Sequence, residues 1–288
     1  FDHRLQGGNG RVHGVATIRG KPSPNALTSA RFPAPVNDPA PSASPEPFAG
    51  PRLYCDTGLA PGATVELPER AARHVAALRL RVGDAITLFA GDGAEWRGTL
   101  VQIGKRGVHV ALRERREASR ESPLAITLVQ GVCAADRMDL VLQKATELGV
   151  ARIRPVVTTR SIVRLSQERQ ERREAHWQNV AIAACEQCGR NLVPAVSPST
   201  ALRDFLAEPA GPGTRIVLSP LAEATLRTLP VQGPVTILIG PEGGLTDDER
   251  DLAGLAGFTA LRFGPRILRT ETAPLAAIAA LQALHGDC

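Results

Sequence analysis

Several features are scarce or missing in this sequence, and each absence excludes a class of protein. No apolar run reaches the roughly 18 to 20 residues that cross a bilayer, the richest stretch being the alanine-rich residues 275–284. We therefore predict a soluble protein with no membrane partner. The five cysteines are odd in number and scattered. They exclude a disulfide framework and indicate a reducing compartment, the cytoplasm.

Cys185 and Cys188 are separated by two residues, a spacing found in zinc and redox sites. No second Cys or Cys/His pair completes a tetrahedral set, and the two thiols fall late in a helical pattern. We therefore favour helix packing for this pair and predict no metal.

The common motifs that bind nucleotide phosphates are also missing. The chain contains neither G-x-x-x-x-G-K-[ST] nor a Rossmann G-x-G-x-x-G, which disfavours ATP, GTP and dinucleotides. Gly91-Asp92-Gly93 is better explained as a hairpin turn.

What the sequence does contain is enough for a substantial core, because 43% of its 288 residues are hydrophobic. Residues 1–50 differ from the rest. They hold eight prolines and six glycines without sustained periodicity, so we expect a disordered Pro/Gly-rich leader.

Residues 51–122 show short alternating runs separated by turn signals, which predicts a small β-barrel-like module with one helix over residues 69–80. This segment has 12 basic and 9 acidic residues, whereas residues 123–288 have 17 of each. The positive excess of the folded part therefore lies in the small module, where a polyanion is expected to dock.

From residue 123 onward, strand patterns alternate with helical ones, which predicts a mostly parallel α/β sheet covered on both faces. Strands are expected at residues 126–132, 153–157, 216–219, 235–239 and 260–263. A helix is expected around Met138, with Asp136 as its N-cap and Gly149 as its stop, and Pro274 is placed to open the last helix.

Ligands of open parallel sheets bind beyond the carboxyl ends of strands, so the loops that follow strands are the expected ligand sites. One runs from Ile239 through Gly240, Pro241, Glu242, Gly243 and Gly244. Its glycines let backbone approach a ligand closely. Thr246 and Glu249 predict a capping box at the next helix, whose acidic first turn would repel phosphate. A cofactor without phosphate, held by backbone groups, is indicated.

The second unusual loop, residues 263–272, contains two arginines, one glutamate and two threonines within seven residues. Arg266 and Arg269 are expected to meet an anionic substrate, because guanidinium groups stabilise anionic groups and developing negative charge. The alternative is a solvated connector with capping threonines.

Four motifs occur here in the order of a known family: residues 143–150, 181–191, 239–244 and 264–272. On them the chain resembles the RsmE family of ribosomal small subunit RNA methyltransferases, over about residues 51–285. The resemblance implies methylation of N3 of one uridine in 16S ribosomal RNA with S-adenosylmethionine (SAM) as cofactor.

The resemblance also implies an architecture. It consists of a PUA-like RNA-binding β-barrel (residues 51–122) and a SPOUT-type α/β domain with a carboxy-terminal trefoil knot (residues 123–288), assembled as a homodimer. The loops expected to hold SAM supply Leu218, Ser219, Pro220, Ile239, Gly240, Pro241, Glu242, Gly243, Gly244, Phe263, Gly264, Ile267 and Leu268.

Methyl transfer to uracil N3 requires loss of the N3 proton and stabilisation of the resulting charge. Our hypothesis is that Arg269, with Arg266, stabilises the anionic base, while Glu271 or Glu186 orients it or accepts the proton. Two alternatives stay open: a non-catalytic RNA-binding protein, and a SPOUT methyltransferase acting on another nucleotide or on transfer RNA.

Overall fold

The computed structural model describes residue 48 and residues 50–161 and 167–288, which belong to one compact unit. None of the helices in these ranges is long and apolar enough to cross a membrane. The leader predicted to be disordered lies outside the described residues, apart from Phe48 and Gly50.

The amino-terminal module (residues 51–122) is a five-stranded sheet in the order β1-β3-β4-β5-β2. Its β3–β4 and β4–β5 pairs are antiparallel, and the first of them confirms the hairpin turn predicted at Gly91–Gly93. Leu53, Leu88 and Leu100 are completely buried in its core. The elements are β1 (Arg52–Tyr54), β2 (Thr64–Glu66), α1 (Glu69–Ala77), β3 (Ala85–Phe89), β4 (Ala94–Gly104) and β5 (Gly107–Glu117).

The carboxy-terminal module (residues 123–288) is a seven-stranded sheet in which β12, β10, β11, β6, β7 and β8 lie side by side and β9 also pairs with β7. Every strand pair in it is parallel, as predicted. The elements are β6 (Ile126–Gly131), α2 (Ala135–Glu147), β7 (Arg152–Val157), α3 (Gln167–Cys188), β8 (Ala195–Val196), β9 (Thr200–Ala201), α4 (Leu202–Ala207), β10 (Thr214–Leu218), β11 (Val235–Ile239), α5 (Asp247–Leu255), β12 (Thr259–Leu261) and α6 (Thr272–His285).

This sheet buries both of its faces, because successive strand residues point to opposite sides. Ile237 of β11 packs in the core under α2, α3 and α6. Its neighbour Leu238 packs in the core under α4 and α5. Each fully buried aliphatic side chain of this kind contributes about 1.5 to 3 kcal/mol of transfer free energy.

The ends of α2 show one correct and one wrong prediction. Gly149 follows the helix with φ of 81°, as expected for a stop. Asp136 is not the N-cap, because the helix begins at Ala135 and Ala134 occupies the N-cap position. The backbone N–H of Ala134 donates to Glu242 Oε1 at 2.9 Å, so a distant carboxylate replaces a local cap.

The two modules contact each other near Glu95, whose side chain is fully buried and forms its ion pairs within the amino-terminal module. Arg52 Nη1 donates to Glu95 Oε2 at 2.6 Å and Arg116 Nε to Glu95 Oε1 at 2.7 Å. Asn191, in the carboxy-terminal module, accepts from Arg52 Nη2 at 2.5 Å. The amino-terminal module is thereby anchored on the carboxy-terminal one.

Candidate active site

A cavity of about 720 Å³ lies at the carboxyl edge of the parallel sheet. Strands β12, β10 and β11 are neighbours and run parallel, so the loops that follow them open on the same edge. Two of these loops touch directly: Thr270 Oγ1 donates to the carbonyl oxygen of Gly240 at 2.8 Å. The two unusual loops of the sequence therefore form one site.

Most residues predicted to hold a cofactor line this cavity, and Gly264 is the exception. The walls combine apolar side chains, such as Leu218 and Phe263, with glycine backbone. The predicted residues that line it are Leu218, Ser219, Pro220, Ile239, Gly240, Pro241, Glu242, Gly243, Gly244, Phe263, Ile267 and Leu268.

Two glycines allow the glycine loop, residues 239–244, to turn tightly and to pack against β6. Gly244 has φ of 68°, a left-handed conformation that favours glycine. Gly131, the last residue of β6, lies against the start of the glycine loop, and a Cβ atom there would be 2.6 Å from the backbone nitrogen of Pro241. The loop is therefore seated on β6 by backbone contact.

Substituting Gly131 with alanine is expected to destabilise the protein by about 1 to 3 kcal/mol, the usual cost of overpacking. Gly254 in α5 is the matched control, because a Cβ atom there meets nothing within 4 Å. Alanine at that helical position is expected to stabilise by about 0.5 to 1 kcal/mol. Urea unfolding of both variants measures the difference, and equal midpoints would refute the close approach.

The predicted capping box at the start of α5 is confirmed. Thr246 Oγ1 accepts from the N–H of Glu249, and Glu249 Oε2 accepts from the N–H of Thr246. Burial favours the protonated carboxyl, but backbone hydrogen bonds from Thr159 and Thr246 outweigh it and lower the pKa of Glu249. Its charge occupies the helix terminus where a phosphate would otherwise bind.

Two of the four predicted catalytic residues, Arg266 and Arg269, line the cavity. Both are exposed. Among the described residues neither forms a hydrogen bond through its side chain or an ion pair. Their charges are therefore free to meet an anion.

The structure does not place Glu271 and Glu186 among the residues that line the cavity. Glu271 Oε2 lies 3.9 Å from Arg137 Nε, and its side chain is 15% exposed. Glu186 is buried between the modules, where its carboxylate accepts from Arg70 and from the N–H of Tyr54 at 2.9 Å. A catalytic role for Glu186 within its own chain is not supported by this position, since its oxygens are occupied.

Four arginines that the sequence motifs do not predict also line the cavity. Arg137 follows β6 and Arg160 follows β7, so the strand-end rule that selected the glycine loop also applies to both. Arg160 Nη1 donates to the carbonyl oxygen of Gly243 at 2.8 Å. Arg250 and Arg262 complete the set.

The Cys185 and Cys188 thiols lie away from this cavity, and no group of metal-binding side chains occurs within the part of the chain that the structure describes. Cys185 is fully buried, as helix packing predicts, and Cys188 is half-buried. The hydrogen bond from Cys185 lowers the pKa of Cys188 to about 6, against the effect of burial and with help from Arg190.

Cys188 is therefore expected to be a thiolate at neutral pH and to react with iodoacetamide at a rate that falls as pH drops through about 6. The measurement uses a Cys288→Ser background, which removes the exposed thiol. Cys185→Ala removes the main cause and should move the midpoint to higher pH. A midpoint near the ordinary thiol value of about 8.5 would contradict the expectation.

Comparison with known proteins defines the class to which this fold and cavity belong. The family model described as RNA methyltransferase domain matches residues 120–282, and that of the RNA methyltransferase PUA domain matches residues 67–113. The parallel sheet and its cavity thus form an RNA methyltransferase domain.

Individual relatives narrow this class. Ribosomal RNA small subunit methyltransferase E of Buchnera aphidicola is 33% identical over 211 residues, which cover 73% of this chain and 86% of the relative. The enzyme of the same name from Neisseria gonorrhoeae, solved bound to SAM, is 43% identical with a TM-score of 0.77, over 82% of this chain and 98% of that one. A Legionella pneumophila methyltransferase solved with SAM is 40% identical with a TM-score of 0.81, over 84% and 100%. The chain belongs to the ribosomal RNA small subunit methyltransferase E family.

Proposed function

We propose that this protein transfers the methyl group of SAM to N3 of a uridine in the 16S ribosomal RNA of the small subunit. The observation on which this rests is the cavity itself. Three strand-following loops bring backbone, apolar walls and unpaired arginines together in one space of about 720 Å³, a size typical of small-molecule sites.

The residues of the cavity fit SAM. The backbone amide and carbonyl groups of the cavity can form hydrogen bonds with an adenosyl moiety. Its apolar walls, among them Leu218, Ile239 and Leu268, can pack against the adenine ring. The acidic first turn of α5 excludes a phosphate, which SAM does not have. When bound, SAM supplies an activated methyl group on a sulfonium centre, so the protein's contribution is alignment and electrostatics.

Arg269 and Arg266 act on the base in this proposal. Uracil N3 is nucleophilic only after its proton has left, and the negative charge then spreads toward O2 and O4. Two guanidinium groups at the cavity lower the free energy of that anion. Water then serves as proton acceptor, which agrees with the position of Glu271 and Glu186 outside the cavity lining.

We also propose a barrel, a trefoil knot and a homodimer for this protein. We assign the amino-terminal module as a PUA-like barrel and the carboxy-terminal one as a SPOUT domain whose last loops form a trefoil knot, with a boundary near residue 122. Contact between the loops after β11 and β12 supports this assignment.

Two apolar side chains at the cavity, Leu221 and Ile267, are 78% and 82% exposed. They support a homodimer in which a second copy covers them.

The proposed substrate is RNA of the small subunit or the assembled particle, which places the reaction in the cytoplasm. The amino-terminal module has a net charge of +3 from 12 basic and 9 acidic residues, and this excess favours the RNA backbone. The target uridine must be unstacked before N3 can enter the cavity.

Mapping methylated nucleotides in RNA from cells with and without the gene tests this function. The proposal predicts one N3-methyluridine in 16S RNA that disappears on deletion and returns with the wild-type gene. Loss of a methyl group from another nucleotide or from transfer RNA would show a different substrate. RNA binding with no change in methylation would show a non-catalytic protein.

A further inference from the structure

Arg137 stands where three segments of the active-site wall meet. It is the third residue of α2, the helix that follows β6, and its side chain is 35% exposed. It lines the cavity alongside the glycine loop. Its guanidinium therefore lies between the cavity and the helix that supports it.

The contacts of Arg137 link the two loops proposed to hold SAM. Its Nη1 donates to Glu242 Oε1 at 3.1 Å, within the loop after β11. Its Nε lies 3.9 Å from Glu271 Oε2, at the end of the loop after β12. Since Ala134 also donates to Glu242, the start of α2 secures the glycine loop at two points.

Arg137 offsets part of the negative charge of the two carboxylates beside it. Glu242 and Glu271 each have a buried Oε2 with no hydrogen-bond partner among the described residues. Burial raises the pKa of the adjacent Cys133 thiol to about 12, and the charge of Glu242 adds to this effect. Removal of the Arg137 charge would leave two largely buried carboxylates, 18% and 15% exposed, without this cation, which is costly.

We propose that Arg137 is a positioning residue that holds the loops after β11 and β12 in their SAM-binding conformation by pairing with Glu242 and Glu271. It acts through these carboxylates and not by contact with SAM or RNA. This inference rests on the proposed function of the cavity.

A mutant cycle tests the inference, with the dissociation constant of SAM measured by calorimetry. Arg137→Met is expected to weaken SAM binding roughly 10-fold or more, a coupling typical of residues in one network. In a Glu242→Gln/Glu271→Gln background the same substitution is expected to change affinity by less than about 3-fold, because no charged partner remains. Arg172→Met, an exposed pair with Glu168 on α3, is the control and should leave affinity unchanged.

Arg137→Lys guards against loss of folding in the methionine variant, since it keeps the charge. It should retain thermal unfolding like the wild type and recover most of the SAM affinity. An equal weakening by Arg137→Met in both backgrounds would show direct contact with SAM and overturn the inference. A lysine variant as weak as the methionine one would do the same. Absence of SAM binding by the wild type would instead refute the proposed function.

Discussion

Replacement of Arg269 with alanine is expected to slow methyl transfer in a single turnover by roughly 100-fold, the usual cost of removing one group that stabilises developing negative charge. The Arg269 side chain lines the cavity and has no ion pair with any described residue. Its charge is therefore available to the ionised uracil. The affinity for SAM should stay within about 3-fold, because backbone and apolar groups supply most of that contact.

The pH dependence distinguishes this role from a structural one. In the variant the rate deficit should narrow at high pH, where the base ionises without help from the protein. Arg266→Ala measured in parallel shows whether the two guanidinium groups share the task, and Arg203→Ala, on the exposed side of α4, is the control. Wild-type single-turnover rates in Arg269→Ala with normal SAM binding would remove the assignment.

Replacement of Glu95 with alanine is expected to cost about 3 to 5 kcal/mol of stability, because it leaves several arginines around a buried site without their anion. The side chain of Glu95 is fully buried, whereas those of Arg52 and Arg120 are 8% and 16% exposed. Glu117→Ala is the matched control, because the Glu117 side chain, which pairs with Arg115, is 69% exposed. That substitution should cost less than about 1 kcal/mol.

Acid should reduce the difference between wild type and Glu95→Ala. Burial favours protonation, but hydrogen bonds from Arg116 and Arg52 outweigh it and hold the pKa of Glu95 below its ordinary range. The stability gained from this lowered pKa is present above about pH 4 and is lost as pH falls through the lower folded-state value. Urea midpoints measured from pH 7 downward should converge, and a Glu95→Ala midpoint equal to wild type at pH 7 would refute the anchoring role.

Local sequence patterns predicted most of the strands well. The strand at Val235–Ile239 has the predicted bounds, since four apolar residues and one threonine end at a glycine-proline turn. β5 extends to Glu117, and its last five residues are all charged. Its polar tail has no apolar alternation to detect, and pairing with β4 forms it.

Contacts between distant residues explain what the sequence could not provide. The Glu242 carboxylate that accepts from Ala134 is 108 positions away in the sequence, so the local pattern predicts the nearest suitable side chain, Asp136, as the N-cap instead. Glu186 lies in a motif of the family, yet 116 positions separate it from Arg70, its partner between the modules. The helix pattern around Met138 predicts only the apolar face of α2, so it gives no indication of a role for Arg137.

Hydrogen–deuterium exchange with and without SAM tests the central claim most directly, because the proposed SAM site consists largely of backbone amides in particular turns. Slower exchange is predicted in residues 218–221, 239–245 and 262–270, while the amino-terminal strands remain unchanged. Identical exchange in the two samples, or protection confined to other parts of the chain, would contradict the account.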